Sequence, residues 1–233
     1  MGIKKFKLEV LKHISGLTSF SKSWPNYSIG INHHLGSNPD GNHLFNLGDY
    51  LSNCFQGNTP AGRSQSQLST GGTAWECLVV WYLNIIFWNT NVVVAKSVKK
   101  FIPDVVRDSI ACNISNISTN TESDILAYTI PESLMHVNDL TIEDINEAIS
   151  SDIHNQDLVV VQTKTNWNDN SQIPMLWDIV YNSGSKPISH VTVGKNGVNP
   201  ESFRSFAYSF ITVPTTKIPK PTSIHTHRVQ NLT

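Results

Sequence analysis

A chain of 233 residues, 39% of them hydrophobic and 15% charged, can bury one sizeable core and does not have the composition of a disordered segment. Its formal net charge of −1 excludes a global basic field that would draw the whole molecule onto nucleic acid, while leaving room for a local basic cleft. Three widely spaced cysteines, Cys54, Cys77 and Cys112, argue against a disulfide frame or a zinc site and point to buried thiols in a reducing compartment.

In chain order, residues 2–16 predict a short amphipathic helix with Ile3, Phe6, Val10, Leu11 and Ile14 on one side, and no apolar run there reads as a secretory signal. From Thr18 to Gly72 Ser, Asn, Gly, Pro and Gln dominate, which predicts an irregular arm with one helix near Asn46–Asn53. Gly71-Gly72-Thr73 then opens the clearest helix. Thr73 serves as N-cap, Glu76 follows three residues later as in a capping box, and apolar residues continue to Trp88. Being apolar nearly all round, this helix should be buried. Its stretch Cys77–Trp88 covers about 12 residues and contains Asn84, against the roughly 20 apolar residues a bilayer span requires, so a cytoplasmic protein is expected.

Asn91–Ala95 reads as a strand, and Phe101–Val106, broken by Pro103, is ambiguous. Ile110–Ile117 alternates as a strand does, and Asp124–Ile130 is a stronger strand. A helical insertion fills Pro131–Asn155, capped by Thr141-Ile-Glu-Asp144, with Ile142, Ile145, Ala148 and Ile149 as its apolar stripe. Asp157–Lys164 is a buried strand, followed by a polar loop, a helix over Gln172–Tyr181, and strands at Ile188–Val193 and Phe206–Val213. Residues 214–233 carry Pro214, Pro219 and Pro221 without a core pattern and read as an extended tail. The sum is an α/β layered architecture built on a mixed sheet.

The strand Asp157–Lys164 holds the chemistry. Side chains alternate along a strand, so Gln162 and Lys164 emerge on the same face. A buried strand gains no stability from ending in two such polar groups. Phosphodiester cleavage does gain, from an oxygen that holds a divalent cation and an ammonium beside the attacked phosphate. Three further pieces precede or follow in fixed order: Glu76 in the buried helix, Asp124 at the mouth of a strand, and a helix after Lys164.

This order, carried by Trp75-Glu76, Thr121-Glu-Ser-Asp124-Ile125 and Gln162-Thr-Lys164, resembles the PD-(D/E)xK nucleases, the fold of most type II restriction endonucleases, over residues 71–182. The resemblance implies a restriction-endonuclease-like mixed central sheet flanked by helices. It implies Mg²⁺ held by Asp124 and Gln162, Lys164 orienting or deprotonating the attacking water, and Glu76 supporting the metal shell. Gln162 stands where the family usually has Asp or Glu; its amide oxygen can still ligate a hard cation but brings no charge. The long separation of Asp124 from Gln162 requires the intervening helix to loop out of the sheet. Asp104, in a literal Pro103-Asp104 pair, is the alternative metal aspartate. Glu76 also has a plain reading as a capping-box residue.

Beyond the lysine, Asn166, Asn168, Asn170 and Gln172 form a row of amides suited to base edges or phosphates, and equally to a polar turn. Arg204 is a candidate phosphate contact. The pairs His33-His34 and His225-x-His227 lack carboxylate or cysteine partners at a motif spacing. The expected organisation is an N-terminal arm over 1–70, a nuclease-like core over 71–213 and a tail over 214–233. The expected protein is a Mg²⁺-dependent endodeoxyribonuclease acting on double-stranded DNA, commonly as a homodimer. The alternative is a non-catalytic DNA-binding or interaction protein that kept the fold.

Overall fold

The computed structural model describes residues 2–56, 65–114, 117–119, 123–165, 191–213 and 225–228. Its helices are α1 (Gly2–Gly16), α2 (Thr18–Leu35), α3 (Gly41–Gln56), α4 (Gln65–Ile86), α5 (Asp104–Ser109) and α6 (Ile142–Ser151). Its strands are β1 (Val92–Lys96), β2 (Cys112–Ile114), β3 (Ile117–Thr119), β4 (Ile125–Thr129), β5 (Asp157–Lys164), β6 (Val191–Val193), β7 (Ser205–Thr212) and β8 (His225–Arg228). Five strands form a mixed sheet in the order β1-β4-β5-β7-β8, in which only β5 and β7 run parallel. A second, antiparallel sheet has the order β3-β2-β6.

The α/β architecture with a mixed sheet is as expected. So are α1, which buries Ile3, Phe6, Val10 and Ile14, and α6, whose N-cap Thr141 forms a capping box with Asp144. The helical insertion between β4 and β5 does leave the sheet, because β4 and β5 themselves pair directly. Cys54, Cys77 and Cys112 are buried, and none is joined in a disulfide. Among the described residues no helix is long and apolar enough to cross a membrane.

The N-terminal arm is not irregular. Residues 18–56 form two helices that contribute to the same apolar core as the sheet. Phe20, Tyr27 and Ile31 on α2 and Leu47, Leu51, Cys54 and Phe55 on α3 recur at helical spacing, and burying them overrides a poor local propensity. A file of rings, Tyr27 to Phe55 at 6.1 Å and Phe55 to Trp75 at 5.3 Å, joins α2, α3 and α4. Helix α4 starts at Gln65, so Thr73 lies inside it rather than at its N-cap and the expected arm–core boundary falls within a helix. Packing on this helix outweighs the roughly 1 kcal/mol that each of Gly71 and Gly72 costs in a helix interior.

Three smaller differences follow. Pro103 stands at the N-cap of α5, so the ambiguous segment is a helix there and Asp104 is its first residue. The alternating segment 110–117 contributes to two short strands, β2 and β3. The tail contains β8, which extends the main sheet beyond β7.

Asn84 explains how the outer strand β1 is closed. This fully buried amide donates to the carbonyl oxygens of Val80 (2.9 Å) and Val94 (2.6 Å) and accepts from the Val94 N–H (3.4 Å). It thus supplies in the middle of β1 the donor and acceptor that a further strand would have supplied.

Candidate active site

The site lies where β1, β5 and β7 end and β4 begins. Cross-strand pairing runs Lys96 to Ile125 to Val161, so Lys96, Ile125, Val161 and Thr163 share one face of the sheet. Gln162, Lys164 and Tyr208 share the other. Asp124 precedes β4 at the rim between the two faces.

Asp124 is gripped there. Its Oδ2 accepts the Thr163 backbone N–H at 2.7 Å and the Thr163 hydroxyl at 3.2 Å, supplying an acceptor just where β4 has run out of ladder. Its own carbonyl accepts from the Ser97 N–H at 3.1 Å, which ties the same residue to the end of β1. Burial pushes its carboxyl above the ordinary carboxylate range, and the charge of Glu76 adds to this. The bonds from Thr163 and the charge of Lys164 act in the opposite sense. Glu76 from α4 and Lys164 from β5 therefore both reach Asp124 electrostatically, although the three belong to three different elements.

Gln162 is 3% exposed, and its Oε1 accepts the Tyr208 hydroxyl at 3.0 Å. Glu76 makes a half-buried ion pair with Lys96 of β1. It sits within α4 rather than in its first turn, so a capping-box role is excluded. Sequence reading did not single out Thr163, Lys96 or Tyr208. Each is defined by pairing between strands distant in sequence, and the only prior signal was Thr163 lying within Gln162-Thr-Lys164.

Two expected residues are not brought to this site. Arg204 binds Asp157, its Nε donating to Oδ1 at 2.9 Å and its Nη2 to Oδ2. Asp157 opens the eight-residue β5, so at about 3.3 Å per residue this pair stands roughly 20 Å from Lys164. Asp104 pairs with Arg107 and lines a separate cleft of about 460 Å³ with Lys99, Lys100, Glu143 and Asn146. Asn166, Asn168, Asn170 and Gln172 lie outside the described residues.

Asp124, just before β4, and Gln162, on β5, carry oxygen donors of the kind a hard cation takes. Oδ1 of Asp124 accepts no hydrogen bond among the described residues, while Gln162 Oε1 accepts the Tyr208 hydroxyl on the face of the sheet opposite Thr163. Mg²⁺ is commonly held by one or two carboxylates with substrate phosphate completing its shell. No cluster of three or more His, Cys, Asp or Glu side chains that would make a protein-only metal cage occurs among the described residues. No protein-family model matches the chain, and no curated protein matches it.

Proposed function

We propose that the protein is a Mg²⁺-dependent endodeoxyribonuclease of the PD-(D/E)xK, restriction-endonuclease-like kind, hydrolysing phosphodiester bonds of duplex DNA. The observation that carries this reading is the placement of Asp124 just before β4, held by Thr163 of β5, the strand that also carries Gln162 and Lys164.

Asp124 and Gln162 would hold the ion. When bound, it polarises a phosphoryl oxygen and acidifies water. Lys164 orients the attacking water and neutralises charge developing on the phosphate. Thr163 keeps the Asp124 carboxylate from swinging away, and Glu76 anchors Lys96 at the same end of the sheet. A symmetric duplex site needs one active centre per strand, which suits a two-fold homodimer.

Incubation with genomic DNA of high sequence complexity, with and without Mg²⁺, tests the reading. Discrete fragments that require Mg²⁺ are expected, and DNA left intact under both conditions overturns it. One observation favours a non-catalytic DNA-binding protein instead: Gln162 brings no charge and its oxygen is already engaged by Tyr208. Calorimetry separates the two, because a non-catalytic relative would bind duplex DNA without binding Mg²⁺.

A further inference from the structure

We propose that Lys96 and the divalent cation compete for Glu76, so that the ion exchanges with the ammonium and gains a second carboxylate in addition to Asp124. The inference rests on the metal-site reading above and assigns Lys96 a role within it. Gln162 brings no charge, which leaves Asp124 as the one charged ligand of that site. Mg²⁺ takes one or two carboxylates, and Glu76 is the carboxylate whose charge acts on Asp124.

Strand pairing puts these groups on one face of the sheet. Lys96 stands opposite Ile125, which stands opposite Val161, so Lys96 and Thr163 share that face. Lys96 Nζ pairs there with Glu76 of α4, and Thr163 donates its hydroxyl to Asp124 Oδ2 at 3.2 Å. The backbone closes the same corner: the N–H of Ser97, one residue beyond Lys96, donates to the Asp124 carbonyl at 3.1 Å. The side chains of Lys96 and Glu76 are 16% and 21% exposed, so the ammonium offsets the Glu76 charge where water screens it poorly. A divalent cation offers the same carboxylate twice the charge. The released ammonium, on a flexible four-carbon stem, turns to solvent.

The test is Mg²⁺ affinity by calorimetry in four proteins: wild type, Lys96→Met, Glu76→Gln and the double variant. Methionine keeps an apolar stem and removes the charge. Lys96→Met should bind Mg²⁺ about fivefold more tightly, because no ion pair is broken on binding. With Glu76→Gln in place, the same substitution should gain less than about twofold. Unchanged or weaker binding in Lys96→Met, or an equal gain in both backgrounds, overturns the proposal while leaving the nuclease reading intact. Absence of binding in all four proteins overturns both. Should Lys96→Met fail to fold, lysine acylation of the wild type decides, read by peptide mass spectrometry. The share of Lys96 modified, relative to the exposed Lys12, should rise in saturating Mg²⁺, and an unchanged share overturns the proposal.

Discussion

The carboxylate of Asp124 accepts two hydrogen bonds from a single residue, the N–H and the hydroxyl of Thr163, on a strand its own strand pairs with. An asparagine can accept the same two bonds through its one carbonyl oxygen, so Asp124→Asn separates the structural role from the chemical one. The variant should fold with an unchanged far-UV spectrum and melting profile and lose Mg²⁺-dependent DNA cleavage. Retained cleavage would remove Asp124 from the metal site.

Gly48 on α3 lies in close contact with Tyr82 of α4. A Cβ built there meets the Tyr82 hydroxyl at 2.5 Å and its ring carbon at 3.0 Å, and that hydroxyl is held by the Phe45 carbonyl at 2.9 Å. Alanine improves helix propensity by about 1 kcal/mol, yet overpacking a well-packed site costs about 1–3 kcal/mol. Gly48→Ala should therefore destabilise in chemical denaturation, and by less when Tyr82→Phe has already removed the obstructing oxygen. Additive effects would contradict this.

Asn84 closes β1 from inside an apolar helix. Asn84→Leu strands the N–H and C=O of Val94, and orphaned buried groups cost about 1–3 kcal/mol each. Equilibrium unfolding should show a loss of about 3 kcal/mol. A neutral outcome would mean that the edge is satisfied in another way.

Lys7 makes the protein's stability depend on alkaline pH. The side chain is fully buried, with Nζ donating to the Phe87 and Thr90 carbonyls just beyond α4 at 2.5 and 2.8 Å. Burial, with a smaller contribution from the charge of Lys4, lowers its pKa from 10.5 to about 8. Between those values the unfolded chain binds the proton that the folded one has released, so stability rises with pH across this window. Relative to Lys7→Met, the wild type should gain at most about 1.4 kcal/mol per pH unit on going from pH 8 to pH 10. Parallel stability profiles would show that Lys7 keeps an ordinary affinity for its proton.

What could be read in the sequence follows from how local each signal is. Thr141 with Asp144 and the apolar stripe of α6 lie within one helix and were legible. So was β5, whose alternation places Gln162 and Lys164 together. Helices α2 and α3 were hidden by their Ser, Asn, Gly and Pro content, although Phe20, Tyr27 and Ile31 already had helical spacing. Strand β8 was hidden by the prolines around it, because its register comes from pairing with β7 rather than from its own residues. At the site, the order Glu76, Asp124, Gln162, Lys164 was visible, but the partners that orient them were not. Lys96, Thr163 and Tyr208 take their roles from strand neighbours that no local pattern announces. Arg204 shows the converse error: a cation read as available for phosphate is taken by Asp157 at the far end of the same strand pair.

In this proposal Lys164, whose charge acts on Asp124, serves phosphodiester cleavage. Its most direct test is Lys164→Ala, with DNA cleavage in Mg²⁺ and DNA affinity measured on one preparation. Cleavage should fall by about a hundredfold or more while affinity for duplex DNA stays within a few-fold of the wild type. Cleavage at the wild-type rate would contradict it.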